Sequence, residues 1–342
     1  MLFISEEKLH TLLTRLTDNY KVYLPQKKNG KLYQTQFKNG GTAYTLDEVR
    51  SCEPVKIFFF RAREKVADDF GAGLPPPFPQ PTCVTGVKAC DLKSLKVQDY
   101  VFLADEYTDP FYRRARDNNL IISADCTLAL ETCFCLALGV NPFPEKDFDI
   151  NLSKTEDGYV VEAGSAKGES VIKDNGQLFS PASSVQIKAR EDTRERVRAQ
   201  VQRNISEYRI PGESDWKGWL PKDFTYTFWN QDAKNCVECG ACNTVCPTCH
   251  CFLLYDQAAG KKTSRLRVWD SCLMKDFARV AGGANPRPEL WMRLRNRFEK
   301  KFDFFPKVLG INACTGCGRC ITACPAKIDI RNVLGRLAEH AH

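Results

Sequence analysis

The chain has 342 residues, 43% apolar and 27% charged, with a net charge of +7. That length predicts two or three domains at roughly 150 residues each, and the apolar share excludes a disordered chain. No run of 18 apolar residues occurs and Met1–Glu7 lacks a basic lead, so neither a membrane-spanning helix nor a secretory leader is expected, and the expected compartment is the cytoplasm.

In chain order, Ser5 with Glu6 and Glu7 predicts a capped helix carrying Leu9, Leu12, Leu13 and Leu16 on one face. Val55–Phe60 reads as a strand, and so does Cys83–Val87. A helix is expected over Asp91 to Phe102, and a further strand over Leu120–Ser123. This alternation predicts a parallel or mixed sheet. Gly71 to Pro81 is expected to be a surface loop. Asp147–Leu152 and Tyr159–Glu162, joined by Glu156-Asp157-Gly158, predict a hairpin, and residues 190–207 a charged helix. The expected organisation is an α/β domain over 1–208 with a β-rich insertion at about 147–189, an aromatic-rich linker over 209–230, and a mainly helical domain over 231–342. The class is thus α+β and multi-domain.

The 17 cysteines are clustered: six lie within 1–142, none within 143–235 and eleven within 236–324. Clustered thiols in a chain expected to be intracellular point to metal. Residues 236–247 read Cys236-Val-Glu-Cys239-Gly-Ala-Cys242-Asn-Thr-Val-Cys246-Pro247, and residues 314–325 read Cys314-Thr-Gly-Cys317-Gly-Arg-Cys320-Ile-Thr-Ala-Cys324-Pro325. Both follow the C-x2-C-x2-C-x3-C-P pattern of bacterial two-cluster ferredoxins. Three thiolates at two-residue spacing wrap one cubane, and Gly240, Gly316 and Gly318 permit the tight path. The fourth cysteine of each motif serves the other core. One [4Fe–4S] cluster is therefore expected on Cys236, Cys239, Cys242 and Cys324, and a second on Cys314, Cys317, Cys320 and Cys246. A zinc ribbon has no use for the third evenly spaced cysteine or for the C-P ending, twice.

The 67 residues 247–313, between Cys246 and Cys314, exceed a small ferredoxin's connection, and Phe277–Val280 and Glu289–Lys301 look helical. Residues 261–301 hold twelve Lys/Arg against four Asp/Glu. This surplus suits an acidic partner, charge compensation for anionic clusters, or a solvated helix face. Nucleic-acid binding is not expected, because no recognition module accompanies the charge.

A third set, Cys90, Cys126, Cys133 and Cys135, follows predicted strand ends, where open α/β sheets gather ligands. It reads either as a third cubane, with zinc as the lesser metal option, or as buried core thiols. Of the remaining five, Cys52 and Cys83 read as structural. Cys249, Cys251 and Cys272 admit an extra metal site, alternative ligands, a redox thiol pair or packing.

At these residues the chain resembles the iron–sulfur beta subunits of cytoplasmic [NiFe] (sulf)hydrogenases and the corresponding iron–sulfur chain of anaerobic sulfite reductase. The likeness runs through Lys88-Ala89-Cys90-Asp91-Leu92, Gln98–Phe102, Thr132-Cys133-Phe134-Cys135, Cys246–Phe252, Trp269-Asp270-Ser271-Cys272 and Cys314–Cys320. Gly283-Ala284-Asn285 departs from the Gly-His-Asn form of that family. The resemblance implies a 4Fe–4S dicluster electron-transfer subunit with no catalytic residue of its own. Its implied partners are a flavin-containing NAD(P)H oxidoreductase subunit, together with a catalytic subunit of hydrogenase, sulfite reductase or electron-bifurcating type. It also strengthens the third cluster. The chain carries no dinucleotide fingerprint, since Gly71-Ala72-Gly73 runs into Leu-Pro-Pro-Pro, so flavin and nicotinamide are expected on another chain. Two competing readings are a disulfide or polysulfide reductase subunit using Cys249, Cys251 and Cys272, and a module in which the metal only stabilises the fold.

Overall fold

The computed structural model describes residues 1–38, 41, 43–68, 80–210, 226–260 and 262–340. The expected loop at 71–81 and the expected linker lie largely outside the described residues. The chain forms two compact units: Met1–Phe59 with Gln80–Glu207 and the short segment Thr315–Cys317, and Phe60–Pro79 with Tyr208–Cys314 and Gly318–His342.

The first unit is built on an eight-stranded sheet. Its order is Lys31–Gln36, Lys21–Lys28, Thr82–Val87, Leu120–Ala124, Ile150–Lys154, Gly158–Ala163, Leu2–Ser5 and Ser180–Pro181. The four strands from Lys21–Lys28 to Ile150–Lys154 run parallel, and the remaining pairings are antiparallel. Parallel strands need crossovers, and the helices Ala89–Phe102 and Pro110–Asn118 supply the one between Thr82–Val87 and Leu120–Ala124. The central strands are buried apart from the half-buried Thr82, which is why they read as nearly continuous apolar runs. The helix Glu6–Leu16 starts where Ser5 Oγ accepts from Lys8 N at 3.3 Å, and it buries Leu9, Leu12, Leu13 and Leu16 on the sheet core. The hairpin Ile150–Lys154/Gly158–Ala163 extends this same sheet. The helix Ser184–Ser206 opens with a capping box between Ser183 and Gln186.

One expectation is corrected here. Val55–Phe60 is not a strand: Val55–Phe58 forms a 3-10 turn after Pro54, held where Val55 N donates to Asp91 Oδ1 at 3.2 Å. A short apolar run does not by itself separate a strand from a buried turn.

The second unit combines a three-stranded antiparallel sheet, ordered Phe252–Ala259, Lys262–Trp269 and Arg63–Asp68, with helices. The helices include Tyr226–Ala233, Leu290–Glu299, Phe305–Leu309 and Ile330–His340. Leu294, Phe298 and Phe302 recur at four-residue spacing and are buried, and the Trp229 ring packs tilted against Phe298 with centroids 5.3 Å apart. The sheet was not expected, and Phe277–Val280, expected to be helical, forms turns. Between Leu290–Glu299 and Phe305–Leu309 the chain widens into a π-helical turn at Lys300–Phe304. Pro306 lacks an N–H for the carbonyl of Phe302, so the regular ladder breaks there. Single π turns of this kind frequently sit at functional sites. No helix among the described residues is long and apolar enough to cross a membrane.

Candidate metal-cluster sites

In the second unit, Cys236, Cys239, Cys242, Cys324 and Cys320 line one cavity, closed by Leu273, Leu294 and Phe298. These cysteines lie around the cavity wall rather than meet at a point. Among the described residues no three His, Cys, Asp or Glu side chains converge to hold a single metal ion. An all-sulfur donor set ringing an apolar space fits a cubane.

The backbone repeats between the two motifs. Glu238 and Gly316 occupy equivalent positions with φ of 53° and 64°, and Gly240 and Gly318 have φ of 68° and 70°. Left-handed residues two apart curl the chain, and each motif then enters a short helix, Ala241–Thr244 or Arg319–Ala323. A Cβ on Gly240 would come closest to the movable end of Met274, so it is the left-handed conformation that favours glycine there. Glu238 takes the strained position and is held by Arg293 Nη2, which donates to its Oε2 at 2.8 Å.

Cys246 is buried beside a cationic network. Lys301 Nζ donates to Cys246 Sγ at 3.4 Å, Cys249 Sγ at 3.7 Å, Thr248 Oγ1 at 3.0 Å and Ala313 O at 3.0 Å. Arg297 Nε donates to Asn243 Oδ1 at 2.9 Å, and its Nη2 has no hydrogen-bond partner among the described residues. Hydrogen bonding from Cys249, together with the charges of Lys301 and Arg297, outweighs burial and holds the Cys246 thiol well below its ordinary range. Burial works against the charge on Lys301, yet the facing thiols of Cys246, Cys249 and Cys314 raise its pKa. Neither Lys301 nor Arg297 forms a carboxylate ion pair among the described residues, and both are buried.

The leftover thiols pack around Asn243. Its Nδ2 donates to Cys272 Sγ at 3.2 Å and to Ser271 Oγ at 2.9 Å, while Cys249 Sγ donates to its Oδ1 at 3.7 Å. The hydrogen bond with Cys272 brings Cys251 down to about 7 and pushes Cys272 up. Cys272 is 6% exposed, and that burial disfavours a disulfide or polysulfide substrate at this thiol.

In the first unit, Cys90, Cys126, Cys133 and Cys135 line a second cavity together with Cys317. Cys90 lies in the first turn of the helix after strand Thr82–Val87, and Cys126 follows strand Leu120–Ala124. Asp125 fixes the second strand end: it accepts from Asn151 at 2.9 Å, Ser153 at 2.7 Å and Arg194 at 2.7 Å. Asn204 Nδ2 donates to Leu130 O at 2.7 Å and Cys133 O at 3.1 Å, which ties the long helix to the cysteine loop. Gly316 runs against that loop, and Phe134 N donates to its carbonyl at 2.9 Å. A Cβ on Gly316 would stand 2.5 Å from Cys135 Cα.

Buried cations recur at this cavity. Arg50 donates to Cys317 O and to Thr132 Oγ1, and Lys88 Nζ donates to Leu46 O at 2.8 Å and Asp125 O at 3.1 Å. All these acceptors are neutral. Burial raises the Cys126 thiol to about 11, against the pull of Lys88 and Arg50. Cys83, expected to be structural, is fully buried inside its strand.

Sequence reasoning missed Arg50, Lys88, Arg297, Lys301 and Asn243. The available signal was spacing: Lys88 is two residues from Cys90, Asn243 sits between Cys242 and Cys246, and Arg297 and Lys301 are one helical turn apart.

Residues 235–328 match the 4Fe–4S dicluster domain family, which accounts for two [4Fe–4S] clusters. Across 346 aligned positions the chain is 32% identical to the beta subunit of sulfhydrogenase 2 from Pyrococcus furiosus. That match covers 97% of this chain and 98% of the relative.

Proposed function

The chain belongs to the family of sulfhydrogenase beta subunits, and from that premise we propose that it relays single electrons from a flavin-bearing, NAD(P)H-oxidising chain to a catalytic chain of hydrogenase type. It is an iron–sulfur electron-transfer subunit of a multi-subunit complex. The ligands are Cys236, Cys239, Cys242 and Cys324 for one cluster and Cys314, Cys317, Cys320 and Cys246 for another. Cys90, Cys126, Cys133 and Cys135 hold a third. Bound there, a [4Fe–4S] core supplies one reversible electron and, with four thiolate ligands, offers no open coordination position to a substrate. The protein therefore carries charge and leaves bond-making to its partners.

One observation supports this reading most directly. Two buried cations stand beside the cysteines of each unit, Arg297 and Lys301 in the second and Arg50 and Lys88 in the first, and none of the four forms a carboxylate ion pair among the described residues. An uncompensated buried charge costs several kcal/mol. Thiolates around an anionic core supply the missing negative charge.

Anaerobic purification with iron and acid-labile sulfide quantitation tests the reading. Three cubanes require about twelve iron atoms per chain, with fast-relaxing EPR signals on dithionite reduction. Colourless or zinc-only protein would overturn it, and about eight iron atoms would remove the third cluster. Purification of the native complex identifies the flavin and catalytic chains.

A further inference from the structure

Lys301 is an unusual residue to bury. It is 5% exposed, and its four hydrogen bonds go to two sulfurs, one hydroxyl and one carbonyl. Its backbone is equally constrained, because Ala313 N donates to Lys301 O at 2.9 Å while Lys301 Nζ donates to Ala313 O. Lys301 is thus tied to the residue before Cys314 through both its backbone carbonyl and its ammonium. The Thr248 hydroxyl donates onward to Ala313 O at 2.7 Å and lies 3.1 Å from Cys246 Sγ, which fixes the cation against that sulfur. The π turn at Lys300–Phe304 carries Lys301 at this point.

Arg297 differs in its reach. It lines the cavity of Cys236, Cys239, Cys242 and Cys324, and its charge also acts on Cys246. Arg297 is therefore shared between the two ferredoxin-type ligand sets, whereas the hydrogen bonds of Lys301 run to Cys246 and not to Cys236, Cys239, Cys242 or Cys324. A fixed positive charge hydrogen-bonded to a ligand sulfur favours the reduced, more negative cluster.

We propose that Lys301 makes the Cys246-ligated cluster the more easily reduced of the two in this domain, so that electrons collect there before leaving the chain. The inference rests on the cluster reading above and deepens it by assigning an order to the wire. Lys301 acts here as a positioning and tuning residue through its fixed charge.

The test is redox-poised EPR on the full chain with its clusters, comparing wild type with Lys301→Gln, Lys301→Arg and Arg297→Gln. In Lys301→Gln one signal should lose reduced population about tenfold at a fixed poise, a shift of about 59 mV for one electron. The other signals should change less than about threefold, a smaller shift on the same scale. Lys301→Arg retains the charge and should stay close to wild type, while Arg297→Gln should lower two signals. Unchanged midpoints in Lys301→Gln with full iron would overturn the proposal, as would an equal fall in every signal or a Lys301→Arg shift as large as that of Lys301→Gln. If Lys301→Gln does not retain iron, the wild-type midpoints decide: of the two ferredoxin-type signals, the one lost in Cys246→Ser must be the one reduced first, and the reverse order overturns the proposal. Failure of the underlying cluster reading is distinguishable, because it would appear as missing iron in the wild-type protein.

Discussion

The two cysteine-lined cavities share donor chemistry and differ in construction. In the second unit the cavity cysteines come from two twelve-residue motifs whose backbones repeat: a left-handed residue, a cysteine, a left-handed glycine, then a short helix. In the first unit they come from the ends of two parallel strands and a loop, joined by Cys317 of the second motif, with Cys90 and Cys126 36 residues apart in sequence. The first construction is local and its spacing alone signals the chemistry. The second is assembled by the sheet, and its precision depends on supports such as Asp125, Asn204 and Gly316. Yet in both units two buried cations without a carboxylate ion pair among the described residues stand beside cysteines. Charge compensation is thus the shared requirement, met by Arg297 and Lys301 on a helix in one case and by Arg50 and Lys88 in the other.

The sharpest way to break this comparison is Gly316→Ala. The added Cβ meets the backbone of Phe134 and Cys135, which cannot rotate away, and the residue sits at φ 64°. The expected cost exceeds about 2 kcal/mol from the left-handed conformation and the clash together. Thermal unfolding and iron content should both fall, with the iron of the Cys90 set lost first. Next in size, Cys90→Ala should lower iron from about twelve to about eight atoms per chain and remove one EPR component, leaving the two ferredoxin-type signals. Unchanged iron would make the first-unit cavity a packed core of thiols.

Cys324→Ser and Cys320→Ser sharpen the assignment within the second unit. Cys324 lines the cavity with Cys236, Cys239 and Cys242, and its loss should damage that cluster, while Cys320→Ser should damage the other. EPR of each variant checks this, and the opposite pattern would reverse the cross-ligation. Cys320 also lines that cavity, so this pair tests a real alternative. The smallest effect is a control: Ser5→Ala removes the cap on Lys8 N and should cost about 1 kcal/mol by thermal unfolding, without moving any cluster signal.

The basic stretch 261–301 shows how composition leaves a choice that packing resolves. Arg267 pairs with Glu64 and Arg293 with Glu238, whereas Arg297 and Lys301 turn toward cysteines. All four are buried, so this part of the surplus is neither a solvated face nor a docking surface. The pairing of Lys262–Trp269 with Arg63–Asp68 was not legible for a related reason. The two strands lie about 200 residues apart, and a pairing so distant leaves no local signature.

Sequence by itself determined the two ferredoxin-type ligand motifs, the capped helix at Glu6–Leu16 and the buried parallel strands, because each rests on contacts or periodicities within a dozen residues. It also marked Cys90, Cys126, Cys133 and Cys135 as candidates, by their place after strands. Only the tertiary structure brought those four around one cavity and chose which cations stand beside sulfur. Burial and charge balance are properties of surroundings that the chain acquires on folding; spacing places Lys88, Arg297 and Lys301 near one another or near a cysteine, but does not say which cation is buried without a carboxylate.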